Sequence, residues 1–248
     1  MNTLSFSENS FFQNIVKKIK PGYIAAAVII LGYIIGVVGD GIQFCNLVSS
    51  CANAPNATQL LVQQNSMVYY NGAYWQLFTS IFVTNSFDDA ALNVVAVLVL
   101  DFFLPDTFNN TRYFAIFFIS ALLGNLLTLV EGPLYASAGA SGGIFGVFAA
   151  AFAYNWAENK RIDFSSLVLF LALFFGSSFL AQNVNWIAHL GGSIGGFILG
   201  PVLYNSVRQS RTEYGISTHS SSNTKVIVLL AILIMFVASA AQFLIFVS

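Results

Sequence analysis

The sequence predicts an all-α polytopic membrane protein, a six-helix core followed by one further C-terminal transmembrane helix. Three observations carry this. The chain of 248 residues is 57% hydrophobic and only 8% charged, with a mean hydropathy of +0.76, whereas a soluble domain carries roughly 25% charged residues. A chain so poor in charge cannot cover its surface with polar groups in water and needs lipid as its solvent. Apolar runs recur along the chain at the length that crosses a bilayer, about 20 residues. In lipid every backbone N–H and C=O must be satisfied within the segment, so those runs must be helices. The 25 phenylalanines suit lipid-facing surfaces. The net charge of -1 excludes a nucleic-acid partner, because no basic patch meets phosphates; the partner that the composition implies is the lipid bilayer.

Taken in order, residues 1–22 form a short cytoplasmic tail that turns basic at Lys17, Lys18 and Lys20 and breaks at Pro21-Gly22. A signal peptide shares part of this pattern, but a retained first span is the preferred reading because further spans follow. Seven spans are predicted: 23–39, 77–104 with its spanning part starting near Ala90, 112–130, 140–157, 164–181, 186–205 and 225–247. Residues 23–205 hold the six-helix core, 206–224 a cytoplasmic loop, and 225–248 the seventh helix, plainly apolar over Val226–Val237. The basic residues orient the bundle. With a cytoplasmic N-terminus, all nine Lys and Arg fall in the tail, in the loops after the second, fourth and sixth spans, or at adjoining helix ends. The outer loops 40–76, 131–139 and 182–185 hold none. The C-terminus then lies outside, and the expected location is the cell membrane.

The long first outer loop carries Tyr69, Tyr70, Tyr74 and Trp75, aromatic residues suited to the headgroup interface. Asn56-Ala57-Thr58 fits a glycosylation sequon, a weak signal. Cys45 and Cys51 lie in the same loop. Their spacing permits a small disulfide if the loop faces an oxidising side; two free thiols is the equal alternative. Neither is a metal ligand, since no His or acidic cluster lies near, and the sequence calls for no metal and no cofactor.

The chemistry concentrates in two stretches. In the first, Ser141 sits among small residues in Ser137-Ala138-Gly139-Ala140-Ser141-Gly142-Gly143, about two residues into the fourth span. In the second, Asn185-Trp186-Ile187-Ala188-His189-Leu190-Gly191-Gly192, the only histidine inside an apolar segment lies about one turn into the sixth span. Both spans run from outside to inside, so serine and imidazole, 48 positions apart, lie level near the outer leaflet. Gly142 and Gly146 form one small-residue face; Gly192, Gly196 and Gly200 form another, which His189 shares by the i, i+3, i+7 rule. Such faces let helix backbones approach within side-chain hydrogen-bonding range. A serine at a helix N-terminus also meets free N–H groups and the positive dipole end, which stabilise an oxyanion. The plainer reading is a glycine-packed helix pair whose serine bonds a backbone carbonyl. A titratable group buried in lipid argues against it, because such burial is costly and usually functional.

These motifs resemble those of the rhomboid family of intramembrane serine proteases. Gly139-Ala140-Ser141-Gly142 on the fourth span and Ala188-His189-Leu190-Gly191-Gly192 with Gly196 on the sixth carry the likeness. Tyr74-Trp75-Gln76-Leu77-Phe78-Thr79-Ser80 is similar to the family's Trp-Arg region, Asn93 to its second-helix asparagine, and Ser120-Ala121-Leu122-Leu123-Gly124-Asn125 to its third-helix core. The extra C-terminal helix is similar to the seven-helix, 6+1 branch. The resemblance runs from about Tyr69 to Gly200.

It implies a serine-type endopeptidase that cuts transmembrane segments of single-pass membrane proteins, its substrate partners, through a Ser-His dyad and an acyl-enzyme. Ser141 would be the nucleophile and His189 the general base. Asn93 would serve the oxyanion, with the N–H of Ser141 and of Ala140. Gly139 would shape the tight turn into the helix, with Gly142, Gly192 and Gly196 in support, and Phe145 would pack on the imidazole. The fifth span and residues 176–184 would form a lateral gate and cap.

Two positions depart from the family's pattern. Gln76 stands where arginine is usual, and Asp89 where many members have an oxyanion-side histidine; otherwise Asp88 and Asp89 read as a solvated helix start. Two rival functions follow. One is a catalytically weak or inactive rhomboid-fold protein that binds membrane helices, which only those two positions support. The other is a transporter or channel, which calls for charged residues at mid-membrane and an internal repeat. The spans carry almost no charge, Asp101 falling at the cytoplasmic end of the second, and show no such repeat. His219, in a polar cytoplasmic loop, is too far away to serve the dyad.

Overall fold

A computed structural model of the chain describes residues 19–39, 60–84, 86–105, 107–161, 164, 167–168 and 184–214. Apart from residues 164, 167–168 and 184, the fifth span and the gate and cap lie outside the described residues, as do the seventh span, Cys45, Cys51, Asn56 and His219.

In chain order the elements are α1 (Pro21–Gly39), β1 (Gln63–Gln64), α2 (Asn65–Asn71), α3 (Gln76–Thr79), α4 (Phe87–Phe103), α5 (Asn110–Thr128), a 3-10 turn (Leu129–Glu131), β2 (Ala136–Ser137), α6 (Ser141–Asn159) and α7 (Trp186–Tyr214). Helices α1, α4, α5, α6 and α7 correspond to the first, second, third, fourth and sixth predicted spans. Among the described residues two helical segments are long and apolar enough to cross a membrane. They are Asn110–Glu131, 22 residues of mean hydropathy 2.1, and Trp186–Gln209, 24 residues at 1.4. At 1.5 Å per residue each reaches roughly 33–36 Å.

Local chemistry sets the helix ends. Ser86 caps α4, its Oγ accepting from the N–H of Asp89 at 3.2 Å; Asn109 caps α5 through the N–H of Arg112 at 3.1 Å. A side-chain oxygen there satisfies one of the N–H groups that every helix start leaves without an intrahelical partner. Helix α1 is capped from a distance. The carboxylate of Asp101, buried at the far end of α4, accepts from the N–H of Gly22 at 2.9 Å, and its backbone carbonyl accepts from Lys20 Nζ at 3.3 Å. An anion at a helix N-terminus is favoured by the dipole, and here it fastens α1 to α4. Helix α6 ends at Lys160, in the left-handed region with φ 53°.

Helix α6 is the centre of the bundle. Every residue from Gly142 to Ala151 is buried. No charged side chain occurs before Glu158, and a helix apolar all round belongs in the interior. It packs against α5 and α7, and α1 packs against α4. Phe78, Phe82, Phe114, Phe117 and Phe118 form an aromatic cluster between α3 and α5, with centroid separations of 5.3–6.2 Å.

Three expectations are corrected. A two-stranded antiparallel ladder, Gln63 opposite Ser137 and Gln64 opposite Ala136, joins the segment before α2 to the one before α6; four residues carry too little pattern to be read as strands. Trp75 is not exposed as an interfacial aromatic would be. It is 2% exposed and its indole N–H donates to the carbonyl of Leu60 at 3.0 Å, so its polar edge is satisfied inside the protein, whereas Tyr69, Tyr70 and Tyr74 are exposed. Helix α7 runs nine residues beyond the predicted sixth span, because once past the apolar stretch its polar turns keep their helical bonds. Pro201 inside it follows Gly200, and such breakers are tolerated where neighbouring helices cover the freed carbonyl.

Candidate active site

The turn before α6 is built for close approach. Gly139 has φ +133°, a conformation that glycine adopts without a Cβ penalty. Its N–H donates to the carbonyl of Ser80 at 2.9 Å, and a Cβ there would press on Asp89 Oδ2 at 3.1 Å. Ala140, 1% exposed, holds the cap position and offers no side-chain acceptor. Ser141 is therefore the first residue of α6, one position nearer the helix start than the sequence suggests.

His189 lies one turn into α7 and is 3% exposed. Its Nε2 stands 2.8 Å from Ser141 Oγ. The Phe145 ring, one turn below the serine, packs on the imidazole at 4.3 Å between centroids with a 32° tilt. The backbone carbonyl of His189 accepts from Ser193 Oγ at 2.7 Å, which occupies that hydroxyl within its own helix.

The glycines bring these residues together. On α7, Gly192, Gly196 and Gly200 face successive turns of α6. A Cβ on Gly192 would fall on the carbonyl oxygen of Gly142, one on Gly196 on that of Gly146, and one on Gly200 on that of Ala150. Gly146 is closed in the same way by the Ser120 side chain, and Gly124 on α5 by the carbonyl of Ala188. Backbone lies against backbone at each level, a geometry that admits Cα–H···O contacts. Ser141 and His189 sit at the top of this ladder.

Asn93 is 4% exposed, and one of its amide hydrogens donates to Asp89 Oδ1 at 3.0 Å. Asp89 is thus not simply part of a solvated helix start. Its Oδ2 is buried, with no hydrogen-bond partner among the described residues, and it faces Gly139. Helix α4 begins two residues earlier, so its first turn is wedged under the loop that leads to Ser141.

Gln76 is fully buried. Its Oε1 accepts from the N–H of Gln64 at 2.9 Å and its Nε2 donates to the carbonyl of Leu60 at 3.4 Å. Around it lies a set of polar groups whose roles the sequence does not announce. Gln63 donates to Asn65 Oδ1 at 2.9 Å and to the carbonyl of Asn125 at 3.0 Å. Asn65 donates to the carbonyls of Thr128 and Gly132. Asn125 donates to the carbonyl of Leu77 at 2.8 Å and to Ser80 Oγ at 3.0 Å. The available signal was the polar residue inside an apolar span, at Asn125 and Thr128, since such groups must find partners.

Comparison with known proteins agrees in one direction. The rhomboid domain model matches residues 71–206. YdcA, a rhomboid-family protein of Bacillus subtilis (strain 168), is 32% identical over 133 residues, a match covering 52% of this chain and 67% of YdcA. Rhomboid protease GluP of the same organism is 27% identical over 57% of this chain, but the match covers only 28% of GluP. RHOMBOID-like protein 5 of Arabidopsis thaliana is 34% identical over 58% of this chain and 47% of its own length. The chain thus spans two thirds of one of these relatives and less than half of the other two. With more than half of its length matched by the domain, this mostly helical integral membrane protein belongs to the rhomboid family.

Proposed function

We propose that this chain is an intramembrane serine endopeptidase that cleaves transmembrane segments of single-pass membrane proteins. The observation that carries the reading is the 2.8 Å separation of Ser141 Oγ and His189 Nε2 at the first residue of a buried helix. A nucleophile within hydrogen-bond reach of a base is the geometry that acyl transfer needs.

In the reaction, Ser141 Oγ attacks the carbonyl carbon of the scissile peptide and its proton passes to His189 Nε2. The C=O π pair moves to oxygen, giving the oxyanion. The N–H of Ser141, the N–H of Ala140 and the second amide hydrogen of Asn93 would donate to it. Asp89 holds the first amide hydrogen and so fixes the plane of the amide. Collapse expels the amine with the proton from His189 and leaves acyl-Ser141. Water, its proton taken by His189, attacks the ester, releases the new carboxyl end and restores the serine. Ser141 is half-buried, which suits access from the outer side.

The frame for this chemistry is a 6+1 arrangement with a cytoplasmic N-terminus, an outer C-terminus and a site near the outer leaflet of the cell membrane. The fifth span and residues 176–184 would admit the substrate helix laterally.

A second reading, a rhomboid-fold protein that binds membrane helices without cutting them, draws on Gln76 and Asp89. The test separates the two. The chain is reconstituted in liposomes with a fluorescent single-pass reporter whose transmembrane segment carries small residues near its outer end. Cleavage to two fragments supports the protease; capture of intact reporter without fragments overturns it and supports binding. Within the same assay, Asn93→Ala is expected to slow cleavage by about 10²–10³-fold, the effect of removing one oxyanion donor, and to lower the melting temperature in detergent, because Asp89 loses its partner. A rate equal to the parent's would remove Asn93 from the oxyanion site.

A further inference from the structure

Asn185 makes more bonds than capping a helix requires. It stands immediately before Trp186, the first residue of α7, and its Oδ1 accepts from the N–H of Ala188 at 2.9 Å. Its backbone carbonyl accepts from the N–H of His189 at 3.2 Å. Both of its oxygens therefore hold the turn that carries the imidazole. Its Nδ2 donates at the same time to Ser137 Oγ at 2.7 Å and to Thr128 Oγ1 at 2.9 Å. Ser137 belongs to β2 and is 6% exposed; Thr128 ends α5 and is fully buried. A cap needs only an acceptor, and serine, threonine or aspartate serves as well. An amide is required where two donors must also reach other elements.

The spacing gives these bonds a meaning for the dyad. Asn185 and Ser137 are 48 residues apart, as are His189 and Ser141. Each dyad residue lies four positions after one end of the Asn185–Ser137 bond. The same two segments are thus linked twice, once by the clamp and once by the reacting pair. Because β2 is paired with Gln63 and the N–H of Gly139 is held by Ser80, the strand side of the clamp is anchored. Thr128 is anchored too, donating to the carbonyl of Gly124 at 3.0 Å.

We infer that Asn185 is the positioning residue of the dyad. Through its amide it locks the strand that leads to Ser141 against the helix that carries His189, and so sets the depth of the base relative to the nucleophile. This rests on the reading of Ser141 and His189 as nucleophile and base. A displacement of about 1 Å at such a pair costs on the order of 10²-fold in rate.

The test uses the full chain in detergent and in liposomes. Asn185→Ser keeps a capping oxygen for Ala188 but is too short to reach Ser137 and Thr128. Ser137→Ala removes the acceptor and leaves the cap intact. Each is expected to lower kcat for the reporter, and the rate of fluorophosphonate labelling, by roughly 10-fold or more, with KM within about twofold and the melting temperature nearly that of the parent. The double variant should be no worse than Asn185→Ser alone, because the bond that Ser137→Ala removes is one of the two that Asn185→Ser has already removed. A second readout does not depend on turnover. The sequence has two histidines, so a sample with 15N-labelled imidazoles gives two ring systems, and the one that moves in Ser141→Ala is that of His189. In Asn185→Ser and Ser137→Ala that resonance should shift in the same direction. If the parent neither labels nor cleaves but the resonance still responds, the protease reading fails and the clamp stands. If Asn185→Ser leaves both the resonance and the labelling rate as in the parent, or only Asn185→Ala has an effect and it is on stability, Asn185 is a helix cap and the inference is overturned.

Discussion

Replacing Ser141 with alanine is expected to abolish covalent labelling by a fluorophosphonate and to cut reporter cleavage by ~10⁴-fold or more, and His189→Ala to do nearly the same. The two losses should not multiply in the double variant. Residues that act as one unit lose almost everything when either is removed, and a serine 2.8 Å from its base is such a unit. Without the imidazole the hydroxyl keeps its proton and stays a weak nucleophile. Without the hydroxyl the base has nothing to activate. Both residues lie on a bundle held by glycines rather than by their own contact, so both variants should stay folded. Labelling that survives in Ser141→Ala would place the nucleophile elsewhere. Labelling that survives in His189→Ala at the parent's rate would mean that the serine reacts without this base.

The second large effect is structural. Gly196→Val should prevent α6 and α7 from closing, because its Cβ would occupy the position of the Gly146 carbonyl oxygen, and backbone cannot step aside as a flexible side chain can. Overpacking a core costs about 1–3 kcal/mol and sometimes more, and here it acts one rung below the dyad. The expected result is a much lower melting temperature in detergent and loss of labelling. Even Gly196→Ala should destabilise, although alanine favours a helix over glycine by about 1 kcal/mol. Gly36 on α1 is the control, since among the described residues a Cβ there meets nothing within 4 Å, so Gly36→Ala should be neutral or slightly stabilising. If Gly196→Ala behaved like Gly36→Ala, the two helices would not be in backbone contact.

The meeting of Ser141 and His189 was legible in the sequence for a physical reason. A helix that must meet another at backbone distance needs a glycine every fourth residue, and that period survives in Gly192, Gly196 and Gly200 without any knowledge of the fold. The positions of α4, α5 and α6 followed equally from the hydropathy of their segments. The polar groups around the outer loops were not legible. Gln63, Asn65 and Asn125 bond mainly to backbone carbonyls, and a carbonyl belongs to every residue, so no partner appears in the sequence to betray them. Trp75 looked interfacial for the same reason, its partner being the carbonyl of Leu60. Asp89 looked solvated because acids suit helix starts; only the fold presses that start against Gly139.

The bonds at Gln63, Asn65, Gln76, Asn125 and Asn185 are made by neutral amides with carbonyls, hydroxyls and backbone N–H groups. Resemblance to the family would place an arginine at Gln76, and an arginine holds its partners partly by charge, which dissolved salt weakens near a surface. An amide has no charge to screen and no proton to lose. The fastening of these loops to the Ser141 turn should therefore keep its strength across changes of ionic strength and acidity in the surrounding medium, even where the chemistry beneath it does not.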